Sequence, residues 1–367
     1  MHIESESADV ARIVAGMSKI VTENDGWLHP GLVVRHVGQA YSIGINANDL
    51  ERSPGLPLVQ IPRALLIPVE GIEWEVRDGT LAAMSGVSGL SATQRGLLDL
   101  MLGLYGLAGK LEQACRTLPV LALQGQEHLL GLLRLGRKHW TGSPMPPASA
   151  LVGTRTLACA SGPEGGPSRP AKVLMPLIDL LNHHPEGAPF AVSDEGVSVA
   201  VRAKGVDLEC FGYYGFRDAL SLLLNYGYAS SQPRFLQSIA CRISIGELGH
   251  LQVQRQDFIP PRDLPRIERT ADGVAISHIN IFADNHRHAE ERLALAIRLL
   301  WPEATPAAVQ VAAQAASEQV NALNMAYYLA LSDAVAASSG AGEAMVGMLE
   351  TVVDHQLKLL QLARQRG

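Results

Sequence analysis

The sequence is poor in aromatic residues and in charge. Its 367 residues include only six Phe, four Trp and eight Tyr, and 18% of them are charged. Lys and Arg total 30 against 36 Asp and Glu, a net charge of −6, so we expect no broad basic surface of the kind that holds nucleic acid or anionic membranes. Hydrophobic residues make up 47%, and the length exceeds what one core usually fills. These figures predict two folded domains without nucleic-acid or membrane partners.

The common signatures of metal, disulfide and nucleotide sites are also missing. The four cysteines show no Cys-x-x-Cys spacing, so neither a zinc site nor a disulfide framework is predicted. There is no GxxxxGK[ST] and no strand-borne GxGxxG, the Gly-rich turns that bring backbone N–H groups to phosphate. The acidic N-terminal stretch has no apolar signal region, and no run of 18 uncharged apolar residues occurs. We therefore expect no membrane span and a cytoplasmic location.

The spacing of apolar residues changes along the chain. After a predicted helix over residues 5–23, short β-type runs fill residues 31–81, with a tight hairpin at Asp78-Gly79. Helical spacing occupies about 91–140, β-type runs then resume with hairpins at 190–201 and 267–277, and the chain is helical beyond about 286. The last part includes a helix capped by Thr305 with Pro306 at its first position. The pattern predicts an α+β protein: an irregular β-rich domain over 1–245 with the helical insert, then an all-helical domain over 246–367.

Two segments combine apolar runs with a dense set of polar groups. The first covers residues 174–185, where an apolar run is followed by Asn182-His183, and the second covers 209–228 and holds six of the 18 aromatic residues. Taken alone, an Asn-His pair after an apolar strand is more typical of a turn at the strand end. A tyrosine at a strand end is likewise more typical of packing. Their occurrence together favours a functional site.

The two segments resemble the SET-domain methyltransferases, specifically the branch of the Rubisco large-subunit lysine methyltransferase. That branch carries a Pro-x-x-Asp-x-x-Asn-His element, followed by two Tyr-Gly pairs whose tyrosines are twelve residues apart. Tyr214 and Tyr226 match the two tyrosines. The first element is matched by Pro176, Asp179, Asn182 and His183.

Weaker matches lie upstream of these segments. The family's Gly-x-Gly turn corresponds to residues 42–44, where Ser42 replaces the first glycine and Gly44 keeps the second, and its Ser-Arg corresponds to Thr154-Arg155. The resemblance implies S-adenosyl-L-methionine as cofactor, with Arg155 pairing its carboxylate through a guanidinium fork. The cofactor-binding residues that it implies are Gly44, Arg155, Asp179, Asn182 and His183.

The resemblance also implies the reaction, a methyl transfer to a protein lysine ε-amine by in-line displacement, without a metal. Tyr226 would be the catalytic tyrosine, with Tyr214 beside it. Tyr213 and Tyr228 would wall the substrate channel, and the helical C-terminal domain would bind the substrate, a protein that the sequence does not identify.

Three residues depart from the family pattern: Ser42, Ala219 in place of a usual Asn, and Tyr228 in place of Phe. Ser42 would weaken cofactor binding if its position needs a positive φ. Two alternatives therefore stay open, since resemblance of fold does not establish function. One is a SET-like protein that has lost turnover and serves as a binding module, and the other is a methyltransferase acting on histidine or on a small-molecule amine.

Overall fold

The computed structural model describes residues 1–51, 55–137, 140, 142–159, 171–255, 264–285, 287–338 and 340–365. It contains both helices and strands in quantity, so the α+β class is confirmed. The helices are α1 (Ala8–Glu23), α2 (Ala47–Leu50), α3 (Ala92–Leu107), α4 (Lys110–Thr117), α5 (Pro119–Ala122), α6 (Glu127–Gly136), α7 (Pro147–Gly153), α8 (Ala219–Tyr226), α9 (Arg287–Leu300), α10 (Pro306–Ala336) and α11 (Glu343–Gln365).

The strands are short and alternate with turns. They are β1 (His2–Ser5), β2 (Trp27–Leu28), β3 (Leu32–Val37), β4 (Ala40–Ile45), β5 (Pro57–Pro62), β6 (Ile67–Pro68), β7 (Glu73–Arg77), β8 (Thr80–Ser85), β9 (Thr156–Cys159), β10 (Ala171–Leu174), β11 (Asn182–Ser193), β12 (Gly196–Ala200), β13 (Ala203–Lys204), β14 (Glu209–Tyr213), β15 (Phe235–Gln237), β16 (Cys241–Ser244), β17 (His250–Val253), β18 (Ile267–Thr270), β19 (Gly273–Ile276) and β20 (Asn280–Phe282).

The chain divides into two compact units. Unit 1 comprises Met1–Cys115 and Met145–Tyr214, and unit 2 comprises Arg116–Pro144 and Gly215–Gly367. Neither unit is contiguous in sequence. The predicted helical insert at about 91–140 is therefore shared, because α3 belongs to unit 1 whereas α5 and α6 belong to unit 2.

Unit 1 is built around a mixed sheet with the strand order β1-β3-β4-β14-β11-β12-β5-β2, to which β13 adds beside β14. Most neighbours are antiparallel, but β1 runs parallel to β3 and β11 parallel to β14. The alignment of β11 with β14 shifts between His183 and Ala188, directly after the Asn-His element, so the regular ladder is interrupted there. This sheet supplies most of the predicted cofactor residues.

The predicted hairpin at Asp78-Gly79 is present. Strands β7 and β8 pair antiparallel, with Arg77 opposite Thr80. Asp78 and Gly79 have φ of 51° and 75°, the left-handed values that a two-residue hairpin turn requires at both central positions. The hairpins predicted at 190–201 and 267–277 are also present, as β11–β12 and β18–β19.

Unit 2 combines helices α5, α6 and α8–α11 with a four-stranded sheet in the order β16-β17-β19-β18. Its core joins leucines of α6 and α8 to the apolar faces of α9, α10 and α11. Thr305 caps α10 as predicted, its side chain accepting from the backbone N–H of Ala308. The prediction of an all-helical region over 246–367 needs correction, because β17–β20 lie within it and the helical part begins at Arg287.

Within the described ranges, none of the helices is both long and apolar enough to cross a membrane.

Candidate functional site

A buried acid, Asp179, lies at the centre of the predicted residues of unit 1. The Tyr105 hydroxyl donates to its Oδ2, and Arg155 Nη1 donates to its backbone carbonyl over 3.1 Å. The Arg155 guanidinium carbon lies 5.4 Å from the centroid of the Tyr105 ring, a cation–π distance. Burial raises the pKa of Asp179, against the opposing effect of Arg155 and the tyrosine hydrogen bond. Burial likewise holds the pKa of Tyr105 well above its usual value.

The backbone before Asp179 is strained. Leu177, fully buried, has φ of +64°, a region that costs a non-glycine residue about 1–3 kcal/mol. A single 3₁₀ turn, Ile178–Leu180, follows it and carries the acid. The strained turn connects β10 to β11 and carries the Asp179 carboxyl that accepts from Tyr105. Asn182 therefore begins strand β11, rather than occupying the turn at a strand end.

Asn182 and His183 tie β11 to its neighbours. The Asn182 amide donates to the Tyr41 carbonyl over 3.0 Å and to Glu209 Oε1 over 2.8 Å. His183 Nδ1 accepts from the backbone N–H of Tyr214 over 3.1 Å. The Tyr214 hydroxyl donates to the Leu181 carbonyl over 2.7 Å, so this hydroxyl serves to hold the strand.

The His183 ring is flanked by Tyr213, which is predicted to wall the substrate channel, and by Tyr214, which is predicted to lie beside the catalytic tyrosine. Its centroid lies 6.2 Å from that of Tyr213 and 5.0 Å from that of Tyr214. Phe190 stacks on the Tyr214 ring at 6.0 Å. These contacts form a small aromatic surface beside the start of β11.

Two further side chains of unit 1, Tyr41 and Lys110, lie near the predicted residues, although no pattern in the sequence points to them. Lys110 Nζ lies 5.6 Å from the centroid of the Tyr41 ring, and the Tyr41 hydroxyl donates to the Leu104 carbonyl over 3.3 Å. Burial raises the pKa of Tyr41 to about 12. Tyr41, Tyr105 and Lys110 escape sequence reasoning because they lie at least 69 residues from Asp179 in the chain and have no motif of their own.

Ser42 and Gly44 are the third and fifth of the six residues of β4. A Cβ on Gly44 would lie 2.4 Å from Arg35 Nη1 and 3.1 Å from the Leu208 carbonyl oxygen, so the packing of neighbouring strands explains this glycine. Ser42 pairs with Arg35 in the β3–β4 ladder and is not among the described residues with positive φ. The replacement of the family's first glycine by Ser42 therefore brings no backbone strain.

The remaining predicted residues, Tyr226 and Tyr228, belong to unit 2. Tyr226 is the last residue of α8, and Gly227, with φ of 66°, ends that helix in a left-handed cap. Burial raises the pKa of Tyr228, against a hydrogen bond with Ser230. Ala219 is the first residue of α8 and is fully buried.

The N-terminus of α8 is anchored by a buried ion pair. Asp218 caps the helix by accepting from the backbone N–H of Ser221 over 2.8 Å, and its Oδ2 accepts from the N–H of Gln237 over 3.0 Å. Arg255 Nη2 reaches the two carboxylate oxygens at 3.1 and 2.9 Å. Burial alone would raise the pKa of Asp218, but Arg255 and these hydrogen bonds lower it.

The crowding of aromatic residues over 211–228 has more than one cause. Phe216 stacks on Phe235 with ring centroids 4.0 Å apart and lies 6.2 Å from Phe282. This residue therefore packs within unit 2 and has no need of a functional explanation. The structure brings together six predicted residues of unit 1, namely Arg155, Asp179, Asn182, His183, Tyr213 and Tyr214.

A cavity of about 720 Å³ lies elsewhere, on unit 2, where residues of α10 and α11 such as Asn321, Met325 and Arg364 line it. None of the predicted site residues lines this cavity. The described residues contain no group of three or more His, Cys, Asp or Glu side chains able to hold a metal ion.

The chain is similar to solved structures of other proteins. A solved structure described as "Structure of Rubisco LSMT bound to AdoMet" aligns over 96% of this chain and 91% of that chain, at 14% identity and a TM-score of 0.38. No protein-family model matches the chain, and no curated protein does. So distant a likeness transfers neither ligand nor activity, which leaves the function to be argued from the residues themselves.

Proposed function

We propose that the protein is an S-adenosylmethionine-dependent methyltransferase that methylates the ε-amine of a protein lysine. The observation that carries the proposal is the gathering of the motif residues in unit 1. Arg155 bonds to the Asp179 carbonyl, and Asn182 and His183 follow three and four residues after that acid in β11. Residues that match a family motif in sequence thus also contact one another in space.

The residues of unit 1 suit the carboxylate of the cofactor. Arg155 is partly buried, and the described residues take one of its donors, Nη1, for the Asp179 carbonyl. A guanidinium has five N–H donors in a planar fork, so the group retains donors for a bidentate contact with a carboxylate. Asn182 would act differently, since its amide donates to Tyr41 and Glu209. Its part would be to hold β11 in place.

Bound in such a site, the cofactor would supply an activated methyl group for in-line displacement. The chain would contribute mainly alignment of the two reactants, an effect worth up to about 7–11 kcal/mol in well-oriented reactions. The attacking lysine must be neutral, and an apolar aromatic surrounding lowers the pKa of an amine by desolvation. We assign this surrounding to Tyr213, Tyr214 and Tyr228, and orientation of the transferred methyl through a weak C–H···O contact to the Tyr226 hydroxyl.

The partner that we propose is a protein substrate carrying an accessible lysine. The net charge of −6 is compatible with attraction of a basic segment at low ionic strength. No nucleic acid, membrane or metal is needed for this chemistry.

The test combines cofactor binding with methyl transfer. Calorimetry with S-adenosylmethionine should show binding by the wild type and by Arg12→Met, an exposed arginine of α1, and much weaker binding by Arg155→Met. Incubation with methyl-labelled cofactor and a cell lysate should label one or few protein bands, and Tyr226→Phe should reduce that labelling by tenfold or more. Mass spectrometry of the labelled peptide should find methyllysine.

Other outcomes decide between the alternatives. If the wild type does not bind the cofactor at physiological concentrations, both enzyme hypotheses fail and a binding module remains. Cofactor binding with label on histidine or in the small-molecule fraction would keep the methyltransferase and replace its substrate. Equal labelling by the wild type and Tyr226→Phe would remove Tyr226 from its proposed role.

A further inference from the structure

Lys110, the first residue of α4, lies beside the proposed cofactor residues although it belongs to none of the motifs. Its Nζ donates to the Gln39 carbonyl and to Gln113 Oε1, both over 3.1 Å. The same nitrogen lies 5.6 Å from the centroid of the Tyr41 ring. An ammonium group has three donors, and the described part of the chain takes two of them. The third donor is therefore available to a ligand.

A short chain of contacts connects Lys110 with the Asp179 group. Tyr41, which lies under Lys110, accepts from Asn182 through its carbonyl oxygen and donates through its hydroxyl to Leu104. The next residue, Tyr105, bonds to Asp179 and lies under Arg155. Two cations thus each lie over the ring of one tyrosine, and the hydrogen bond from the Tyr41 hydroxyl to the Leu104 carbonyl connects the first tyrosine to the backbone directly before the second.

Near Lys110, the positive charges of Lys110 and Arg155 face the single carboxyl of Asp179. Arg155 and Asp179 are the charged groups of other elements that act on Lys110, and Glu112 and Arg116 are its charged neighbours on α4 itself. Burial, and then the nearby Arg155, lower the pKa of Lys110 to about 8, while Asp179 opposes them. One buried carboxyl, already bonded to Tyr105, faces two cations. An anion bound between these cations would relieve their repulsion.

We infer that Lys110 is a second cationic ligand for the cofactor carboxylate, acting together with Arg155. The inference rests on the proposed function, since it names a residue of the same site. It adds a specificity element: the site would distinguish S-adenosylmethionine from its decarboxylated analogue through two cations rather than one.

The first experiment compares the two ligands by calorimetry at pH 7. Lys110→Met should weaken binding of S-adenosylmethionine by about tenfold or more, the size expected for a hydrogen bond between charged groups. It should change binding of decarboxylated S-adenosylmethionine by less than twofold. Lys110→Arg should retain most of the affinity, and Lys19→Met, an exposed lysine of α1, should match the wild type. A packing defect would instead weaken both ligands alike, and that result would overturn the inference.

The second experiment uses S-adenosylmethionine alone and follows its affinity from pH 7 to pH 9. With a pKa of about 8, the protonated fraction of Lys110 falls over this interval from about 0.9 to about 0.1, so the apparent affinity should fall about tenfold. The arginine of Lys110→Arg keeps its charge from pH 7 to pH 9, so the affinity of this variant should not show the tenfold fall that deprotonation of Lys110 causes. Titration of the ligand's own amine affects both proteins equally and cancels in the comparison. Identical pH profiles would contradict the inference.

Failure of the proposed function is distinguishable from failure of this inference. If the wild type binds neither ligand, the cofactor assignment itself is wrong. If the wild type binds S-adenosylmethionine and Lys110→Met binds it equally well, the cofactor assignment stands and only the role of Lys110 falls.

Discussion

The buried pair of Asp218 and Arg255 gives the sharpest prediction for stability. The side chains are 0% and 1% exposed, and the pair joins the start of α8 to Gln237, whose carbonyl accepts from Arg255 Nη1 over 3.2 Å. Arg255→Met removes the cation and keeps most of the apolar volume. The Asp218 carboxylate would retain the N–H groups of Ser221 and Gln237 but would be left buried without an opposite charge. Breaking such a pair costs about 3–5 kcal/mol.

The pH dependence of this loss follows from the sign of the pKa shift. In the wild type the pKa of Asp218 is lowered, so the stabilisation from this group is present above the unfolded-state pKa of about 3.9 and is lost as the pH falls through the folded-state value. In Arg255→Met, burial is opposed only by hydrogen bonds, and we expect the folded-state pKa to rise above the unfolded one. The variant's free energy of unfolding should then increase as the pH is lowered from 7 to 5, so that its deficit against the wild type shrinks.

Urea denaturation at pH 7 and pH 5 measures the loss, and hydrogen exchange of α8 peptides assigns it to unit 2. Arg266→Met is the matched control, because its pair with Glu268 is exposed, with side chains 77% and 57% accessible, and such pairs contribute little. The double variant Asp218→Asn/Arg255→Met should recover much of the loss, since no buried charge remains. A loss below about 1 kcal/mol in Arg255→Met, or a double variant as unstable as the sum of the single ones, would refute the reasoning.

Three further predictions concern local features. Tyr105→Phe removes the hydroxyl that donates to the buried Asp179 and should lower the free energy of unfolding, measured by urea denaturation at pH 7, by about 1–3 kcal/mol. Because the loss of this hydrogen bond raises the pKa of Asp179 further, the difference from the wild type should diminish towards pH 5. A difference that does not change with pH would contradict this reasoning. Gly227→Ala should lower the free energy of unfolding by about 1–2 kcal/mol, because φ of residue 227 is +66° and the new Cβ would lie 2.9 Å from the Thr117 carbonyl oxygen. Its control, Gly131→Ala in α6, meets nothing within 4 Å and should stabilise by about 0.5–1 kcal/mol; equal effects of the two substitutions on thermal unfolding would refute the backbone argument. Ser91→Ala breaks the capping box of α3 and should lower the free energy of unfolding by about 1 kcal/mol, and a loss near zero would show that the cap is dispensable.

Local signals in the sequence predict local structure well. The Asp78-Gly79 turn and the Thr305-Pro306 helix start are both where the pattern puts them, because turn and cap preferences depend on a few adjacent residues. The α+β class follows from the change along the chain between the helical spacing of apolar residues and the short β-type runs. The prediction of an all-helical region over 246–367 misses β17 and β20, because strands of four and three residues are too short to show a period.

Long-range features of the candidate site escape the sequence. The motif residues point to Asp179 and Arg155, but the partner that buries the acid, Tyr105, looks like one more apolar position of α3. Lys110 likewise has the appearance of an ordinary surface lysine at a helix start. The strain at Leu177 is also invisible, since leucine gives no sign of a positive φ. Each of these depends on contacts made only after the chain has folded.

The discontinuous make-up of unit 2 has a consequence for the way the protein emerges from the ribosome. Leu129, Leu130 and Leu133 of α6 are buried against segments that begin at residue 215. Residues 145–214 are synthesised in between, which takes about 4–14 s at 5–20 residues per second. During that delay the apolar face of α6 lacks its permanent neighbours and is exposed to misassembly or to chaperone capture. Folding yield should therefore depend on what shields this one helix during translation, more than on the final stability of either unit.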